Sequence, residues 1–283
     1  MLENLLTPAA VALENRCAKL VSILFAGGVA VTFAERLAAS RLYADSGLMS
    51  WRVLSFDRAR NGVLFRHTVL SQSLFGGKGA RASYWAGLAG VVLVLLSPAR
   101  SYSFTAGMLP IVLSCVLAHL RTTYAGDGAQ QMSLIVGVAL LLGFNPWVTP
   151  AAGAVCLLFI AAQSALSYLA SGVAKLISPI WMRGDALVRI LATTAFGCEL
   201  GFRLASISPR FTRMLCQVTV IVEVLFPFLL FGPRWMMIAF FVWGFTFHLA
   251  NAFLMGLNTF LWAFLSTYPA LYFAWCSFHS WAR

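Results

Sequence analysis

Five residues that could do chemistry share one stretch of the chain. Ser164, Ser167, Tyr168, Ser171 and Lys175 recur at intervals of three and four within an otherwise apolar run. Those intervals place them on one face of a helix. Lys175 is the only lysine after Lys78, and a lysine here admits two chemistries. An amine in an apolar, sparsely hydrated site gives up its proton more readily than one in water and can act as a general base. Alternatively, the lysine lays its stem along the helix and anchors its charge at a bilayer surface, while the serines bond back to their own turn. Spacing alone leaves both open.

Other ionisable groups also lie inside apolar segments. Each costs about 2.5–3.5 kcal/mol at a bilayer centre on insertion scales, so each needs a partner or a task. Glu223 shares a helix face with Cys216 and Thr219 and precedes "VLFP". It must be protonated or paired with a buried Arg or Lys. It is then either half of a structural ion pair or a carboxylate that relays protons or positions a substrate. His248 and Asn251, in "GFTFHLANAFLMG", are three apart and therefore neighbours. A lone histidine there is either a satisfied core residue or a proton carrier. His119, beside Arg121, reads as interfacial. Asp127, between glycines in "RTTYAGDGAQQM", either caps the next helix or pairs with Arg121. No two histidines sit at metal-ligand spacing, so no metal site is expected. "FGGKGAR" (75–81) follows no strand and lacks phosphate-loop spacing, and reads as a flexible basic loop.

These groups need elements to hold them, and composition says which kind. The 283 residues are 60% hydrophobic and only 10% charged, where a soluble chain carries about 25% charged residues. Mean hydropathy is +0.84. The expected class is therefore all-α: a polytopic transmembrane helix bundle of about eight spans, in a single domain covering residues 1–283. The candidate spans are 17–37, 83–98, 103–120, 130–147, 149–174, 211–232, 234–256 and 258–277. Residues 38–82 and 176–210 are rich in arginine but carry apolar stretches at helical spacing, and read as interfacial helices. The start, "MLENLLTPAAVALENRCAKL", reads as an amphipathic helix leading into the first span rather than a signal peptide.

Net charge is +11. The basic residues lie between apolar segments, which fits topology and anionic lipid rather than nucleic acid. With both basic loops in the cytoplasm and eight spans, both termini fall outside. The six cysteines form no C-x-x-C pair and mostly sit in apolar runs, where a thiol behaves as a small apolar residue.

Three segments together resemble a known family. "YLASGVAKLISPIWMRGDAL" (168–187), "FHLANAFLMGLNTFLWAFLSTYPALYF" (247–273) and "YAGDGAQQM" (124–132) are similar to segments of the HTTM superfamily. That family comprises vitamin K-dependent gamma-glutamyl carboxylase and its bacterial relatives, including short members similar to the membrane component of the sporulation-delaying toxin system. The resemblance implies that Lys175 is the base that deprotonates a reduced, vitamin K-like quinone, with oxygen and carbon dioxide as co-reactants. It implies roles for His248 and Asn251 in the second segment and for Trp181 in the first. We therefore expect Lys175 and His248 to be catalytic, and Tyr168, Ser171, Trp181, Glu223, Asn251 and Asp127 to position substrate or cofactor. The family's large soluble C-terminal region has no counterpart in this sequence. Asp127, Gln130 and Gln131 stand where the carboxylase has a histidine, and "NTFLW" replaces its usual F-P turn.

The expected function is a gamma-carboxylase-like membrane enzyme that modifies or matures a small secreted peptide, in a bacterial inner membrane. The alternative is a non-catalytic membrane subunit for the maturation, export or immunity of such a peptide. The enzyme needs Lys175 beside a cavity near Tyr168, His248 or Glu223; the subunit needs Lys175 to reach water or lipid phosphate. A secondary transporter is disfavoured because no internal repeat is seen.

Overall fold

The computed structural model describes residues 7–44, 46–47, 49–58, 68–121 and 127–281. Its described residues are helical, without strands. Six helices are long and apolar enough to cross a membrane: Pro8–Ala38, Gly77–Leu96, Tyr102–Arg121, Pro150–Leu176, Pro209–Leu230 and Arg234–Met255. Helices satisfy every interior backbone group within the segment, which lipid demands. Many large apolar side chains remain exposed on them, among them Leu96, Leu109, Leu113, Val242 and Phe253. Water would penalise that surface and lipid would not. Six such helices point to an integral membrane protein.

The remaining two candidate spans take other forms. The 130–147 segment is a helix of 16 residues, Gly128–Gly143, stopped before the Asn145–Pro146 turn. The 258–277 segment is two helices, Asn258–Leu265 and Tyr268–Trp281. Pro269 cannot donate a backbone hydrogen bond, and the break falls at Ser266–Thr267, whose hydroxyls turn back onto Ala263 and Phe264. The segment expected at 83–98 starts earlier, at Gly77, and reaches 20 residues.

The chain divides into two compact units, residues 2–157 and residues 158–283, the division falling within one helix. In chain order the first unit holds α1 (Pro8–Ala38), α2 (Trp51–Arg58), α3 (Val69–Phe75), α4 (Gly77–Leu96), α5 (Tyr102–Arg121), α6 (Gly128–Gly143) and the start of α7 (Pro150–Leu176). From Pro8 onward the N-terminal stretch is continuous with the first span, and residues 1–6 lie outside the described residues. Thr7 caps α1 and Pro8 opens it, and it runs unbroken for 31 residues. Helices α4 and α5 meet through glycine: a Cβ on Gly90 would fall 2.4 Å from the Gly107 carbonyl oxygen. Small residues allow this approach where no hydrophobic force separates helix from lipid.

Polar side chains in this unit finish helix ends. Lys19 Nζ donates to the carbonyls of Leu95 and Ser97, at 3.1 and 3.0 Å, where α4 ends. Arg121 is buried and donates to the carbonyls of Phe75 and Met49, at 2.8 Å each. Its guanidinium also covers the ring of Tyr43. Glu14, 1% exposed, pairs with Arg100, whose guanidinium also donates to Asn15 Oδ1 at 2.7 Å. "FGGKGAR" is no flexible loop: Gly76 is extended between α3 and α4, and α4 begins at Gly77.

The second unit holds the rest of α7, then α8 (Pro179–Arg183), α9 (Ala186–Leu191), α10 (Glu199–Ile207), α11 (Pro209–Leu225), α12 (Arg234–Met255), α13 (Asn258–Leu265) and α14 (Tyr268–Trp281). The stretch 176–210, expected to be interfacial, forms three short helices. Pro227 ends α11 in a 3-10 turn over Phe226–Leu230, and Gly256, at φ +69°, ends α12 in the left-handed conformation.

Candidate functional site

Lys175 and Glu223 meet because a glycine lets their helices touch. A Cβ on Gly172 would lie 2.7 Å from the backbone nitrogen of Val224 and 2.9 Å from Glu223 Cβ. With α7 and α11 this close, one turn beyond Gly172 carries Lys175 to Glu223, and Nζ lies 2.6 Å from Oε2. The glutamate side chain is 3% exposed and the lysine 16%. This is the buried partner that Glu223 required. Nζ also donates to Ser171 Oγ, one turn back. The Trp181 ring, from α8, lies 5.2 Å from Nζ, within cation–π range. A carboxylate, a hydroxyl and an indole face therefore surround the amine.

Next to this pair lies a second polar pair. Tyr168 Oη and His248 Nε2 are 2.8 Å apart and buried. Tyr168 stacks on Phe226 at 3.8 Å, and His248 stacks on Phe264 at 4.7 Å. Two tautomers fit the bond: Tyr168 donates to Nε2 with the ring proton on Nδ1, or Nε2–H donates to Tyr168. Nδ1 is buried and has no partner among the described residues. Gly244 makes room here, since a Cβ on it would fall 2.3 Å from the Tyr268 hydroxyl and 3.4 Å from that of Tyr168.

Both pairs line one cavity of about 140 Å³, together with Ser171, Asn251 and the rings of Phe247, Phe260 and Phe264. A neighbouring cavity of about 190 Å³ shares Lys175, Phe247 and Asn251 and is walled mainly by Trp181, Leu187, Ile190, Leu215 and Met255. A dry cavity of about 150 Å³ holds a benzene ring, so the first space fits a single ring. Its lining offers aromatic faces and four groups able to hold or move a proton. At 2.6 Å, Nζ and Oε2 are joined by one short hydrogen bond.

Seven of the eight expected site residues thus gather around these two cavities: Lys175, His248, Tyr168, Ser171, Trp181, Glu223 and Asn251. Asp127 lines neither. Its Oδ1 accepts from the Gln130 backbone at 2.9 Å and caps α6, while Arg121 spends its donors on backbone carbonyls. Of the serine stripe, Ser167 bonds back to Gln163 and Ser164 meets Thr267 across helices at 2.9 Å. Sequence reasoning missed Gly172, Gly244 and Tyr268. The only available signal was small residues on the polar faces of α7 and α12, and small residues are common in membrane helices.

No family model, curated protein or solved structure matches the chain.

Proposed function

We propose that this chain is a membrane enzyme whose Lys175–Glu223 pair exchanges a proton with a single-ring, quinol-like substrate or cofactor. The observation that carries the reading is the shared cavity. Lys175, Glu223, Tyr168 and His248 all face one apolar, aromatic-lined space of about 140 Å³. Such a space excludes water and strengthens each electrostatic contact inside it.

The cavity fits the hydroxyl-bearing ring of the reduced quinone that the HTTM resemblance implies, and the second, fused ring of a vitamin K-type quinone would have to extend into the adjoining space of about 190 Å³, which shares Lys175, Phe247 and Asn251. Phe247, Phe260 and Phe264 supply flat faces, and Lys175 and His248 stand where ring oxygens can be reached. When bound, that group would supply, with oxygen, the strong base that the family uses on glutamate. The chain's own part is narrower. With the shared proton on Glu223, the Lys175 amine takes a proton from a ring hydroxyl, and Ser171 and Trp181 keep the amine aimed at the cavity. The Tyr168–His248 pair holds the second polar edge of the ring. Proton movement of this kind contributes about 10²–10⁴-fold to a rate. On this reading the peptide substrate is a small secreted peptide, and the membrane is the bacterial inner membrane.

The test is Lys175→Ala and Lys175→Arg in the native host, with the secreted peptide followed by mass spectrometry. Loss of the mature product in both variants, with the protein still folded in the membrane, is the expected result. Wild-type product at the wild-type rate from both overturns it.

One observation favours a non-catalytic membrane subunit instead: every strong contact of Lys175 is already satisfied within the protein. On that reading the pair only ties α7 to α11. Replacing both members together by Met and Leu then leaves peptide maturation unchanged.

A further inference from the structure

The first unit contains a polar cavity, far larger than the apolar one beside Lys175. It measures about 580 Å³ and is lined by Ser40, Gln72, Ser73, Lys78 and Arg81, with Gly76 and Gly77 at the start of α4. Among the described residues, no Asp or Glu lines it. Neither Lys78 nor Arg81 enters an ion pair among the described residues. Glycine is needed at the α4 entrance, where a Cβ on Gly77 would lie 2.7 Å from the Tyr43 carbonyl oxygen. The walls carry two cations without an acidic partner among the described residues, together with two hydroxyls and the Gln72 amide, a set that suits a phosphate.

A second observation says what carries that phosphate. Beside the cavity, α3 exposes Val69 at 86% and Leu70 at 61%, and α4 exposes Trp85 at 63%. Lys78, Arg81 and Trp85 are spaced by three and four on one face of α4. A cationic pair followed one turn deeper by tryptophan is the pattern of a helix crossing the headgroup layer. Apolar surface and cationic cavity lie side by side, so the complementary ligand is an amphiphile with an anionic head.

We infer that the cavity between α3 and the first turn of α4 binds the phosphate of an anionic phospholipid, through Lys78, Arg81, Ser40 and Ser73, with its acyl chains along Val69 and Leu70. The volume falls within the range of about 300–1,000 Å³ typical of small-molecule sites and leaves room for a glycerol as well as the phosphate. The site is independent of the chemistry proposed for Lys175.

The purified full-length chain, stripped of lipid, is offered equal amounts of phosphatidylglycerol and phosphatidylcholine in detergent, and bound lipid is counted by native mass spectrometry. The wild type is expected to retain phosphatidylglycerol preferentially. The double variant Lys78→Gln/Arg81→Gln should lose roughly tenfold or more in affinity, since each basic residue near a lipid surface contributes substantially. Arg203→Gln removes an exposed cation already paired with Glu199 and should change nothing. Ser73→Glu, a single exposed change that puts a carboxylate in the cavity, should reproduce the loss if the double variant fails to fold. Equal retention of the two lipids by the wild type overturns the inference, as does wild-type retention by folded Ser73→Glu. Displacement of phosphatidylglycerol by inorganic phosphate alone identifies a free-phosphate site and overturns the lipid assignment.

Discussion

Among the described residues each unit of the molecule buries one ion pair, and the two pairs have nearly the same exposure. Glu14 and Arg100 are 1% and 18% exposed; Glu223 and Lys175 are 3% and 16%. Their surroundings differ. Around Glu14 the space is filled: a Cβ on Gly153 would fall 2.0 Å from Glu14 Oε1 and 2.5 Å from Arg100 Nη2. Arg100 also lies over the Phe144 ring and holds φ at +62°, a conformation that only tight surroundings sustain in a residue with a side chain. Around Lys175 there is open volume, aromatic walls and a second hydrogen-bonded pair. Burial of charge therefore does not separate a structural pair from a chemical one. Adjacent space does, because a substrate must approach the proton that moves.

The largest test of this contrast is Glu14→Ala. It removes the carboxylate from a guanidinium that is 18% exposed and still bonded to Asn15, so the loss should approach the low end of the roughly 3–5 kcal/mol that breaking a buried pair costs. Thermal unfolding in detergent should show a drop of that order, or loss of the folded protein. An effect below about 1 kcal/mol would remove the distinction between the two sites. Glu223→Gln should behave in the opposite way. Its neutral amide can still accept from Lys175 beside open volume, so stability should fall by no more than about 1–2 kcal/mol. Product formation in the native host should fall about 10²-fold or more. Stability and activity falling together would place Glu223 with Glu14.

Tyr168→Phe sharpens the contrast within the second site. It keeps the stacking on Phe226 and removes only the hydroxyl, leaving His248 Nε2 buried without its partner. The cost should be about 1–3 kcal/mol, read from the melting midpoint, with product formation reduced as well. The smallest effect belongs to Asp127→Ala. It removes a helix cap, worth about 1 kcal/mol, and should leave the peptide product unaltered. A large loss of product would return Asp127 to the site that the family resemblance implied for it.

Much of the second unit's site could be read from the chain. The intervals of three and four from Ser164 to Lys175, from Cys216 to Glu223 and from His248 to Asn251 each marked the inward face of a helix. The cost of a buried charge required Glu223 to find a cation. The first unit was less legible. Arg100 follows a proline in a short inter-helix turn and carries no periodic signal, so nothing in the sequence tied it to Glu14, 86 positions earlier. Asp127 and Arg121 are close in sequence and opposite in charge, which suggested a pair. Yet capping satisfied one and three carbonyl-bearing segments satisfied the other. The span count was legible only where apolar length was unambiguous. The Ser266–Thr267 break and the short α6 depend on local hydrogen bonds that hydropathy does not register.

The sequence by itself determined that the chain is helical and built for lipid, and which side chains share a face, because both follow from composition and from 3.6 residues per turn. Only the tertiary structure decided which faces meet. That choice rests on glycines such as Gly172, Gly90 and Gly153, whose missing Cβ atoms let particular helices approach. The same approach left space beside Lys175 and set Gly153 hard against Glu14, because helix periodicity fixes the direction of a side chain but not what stands opposite it.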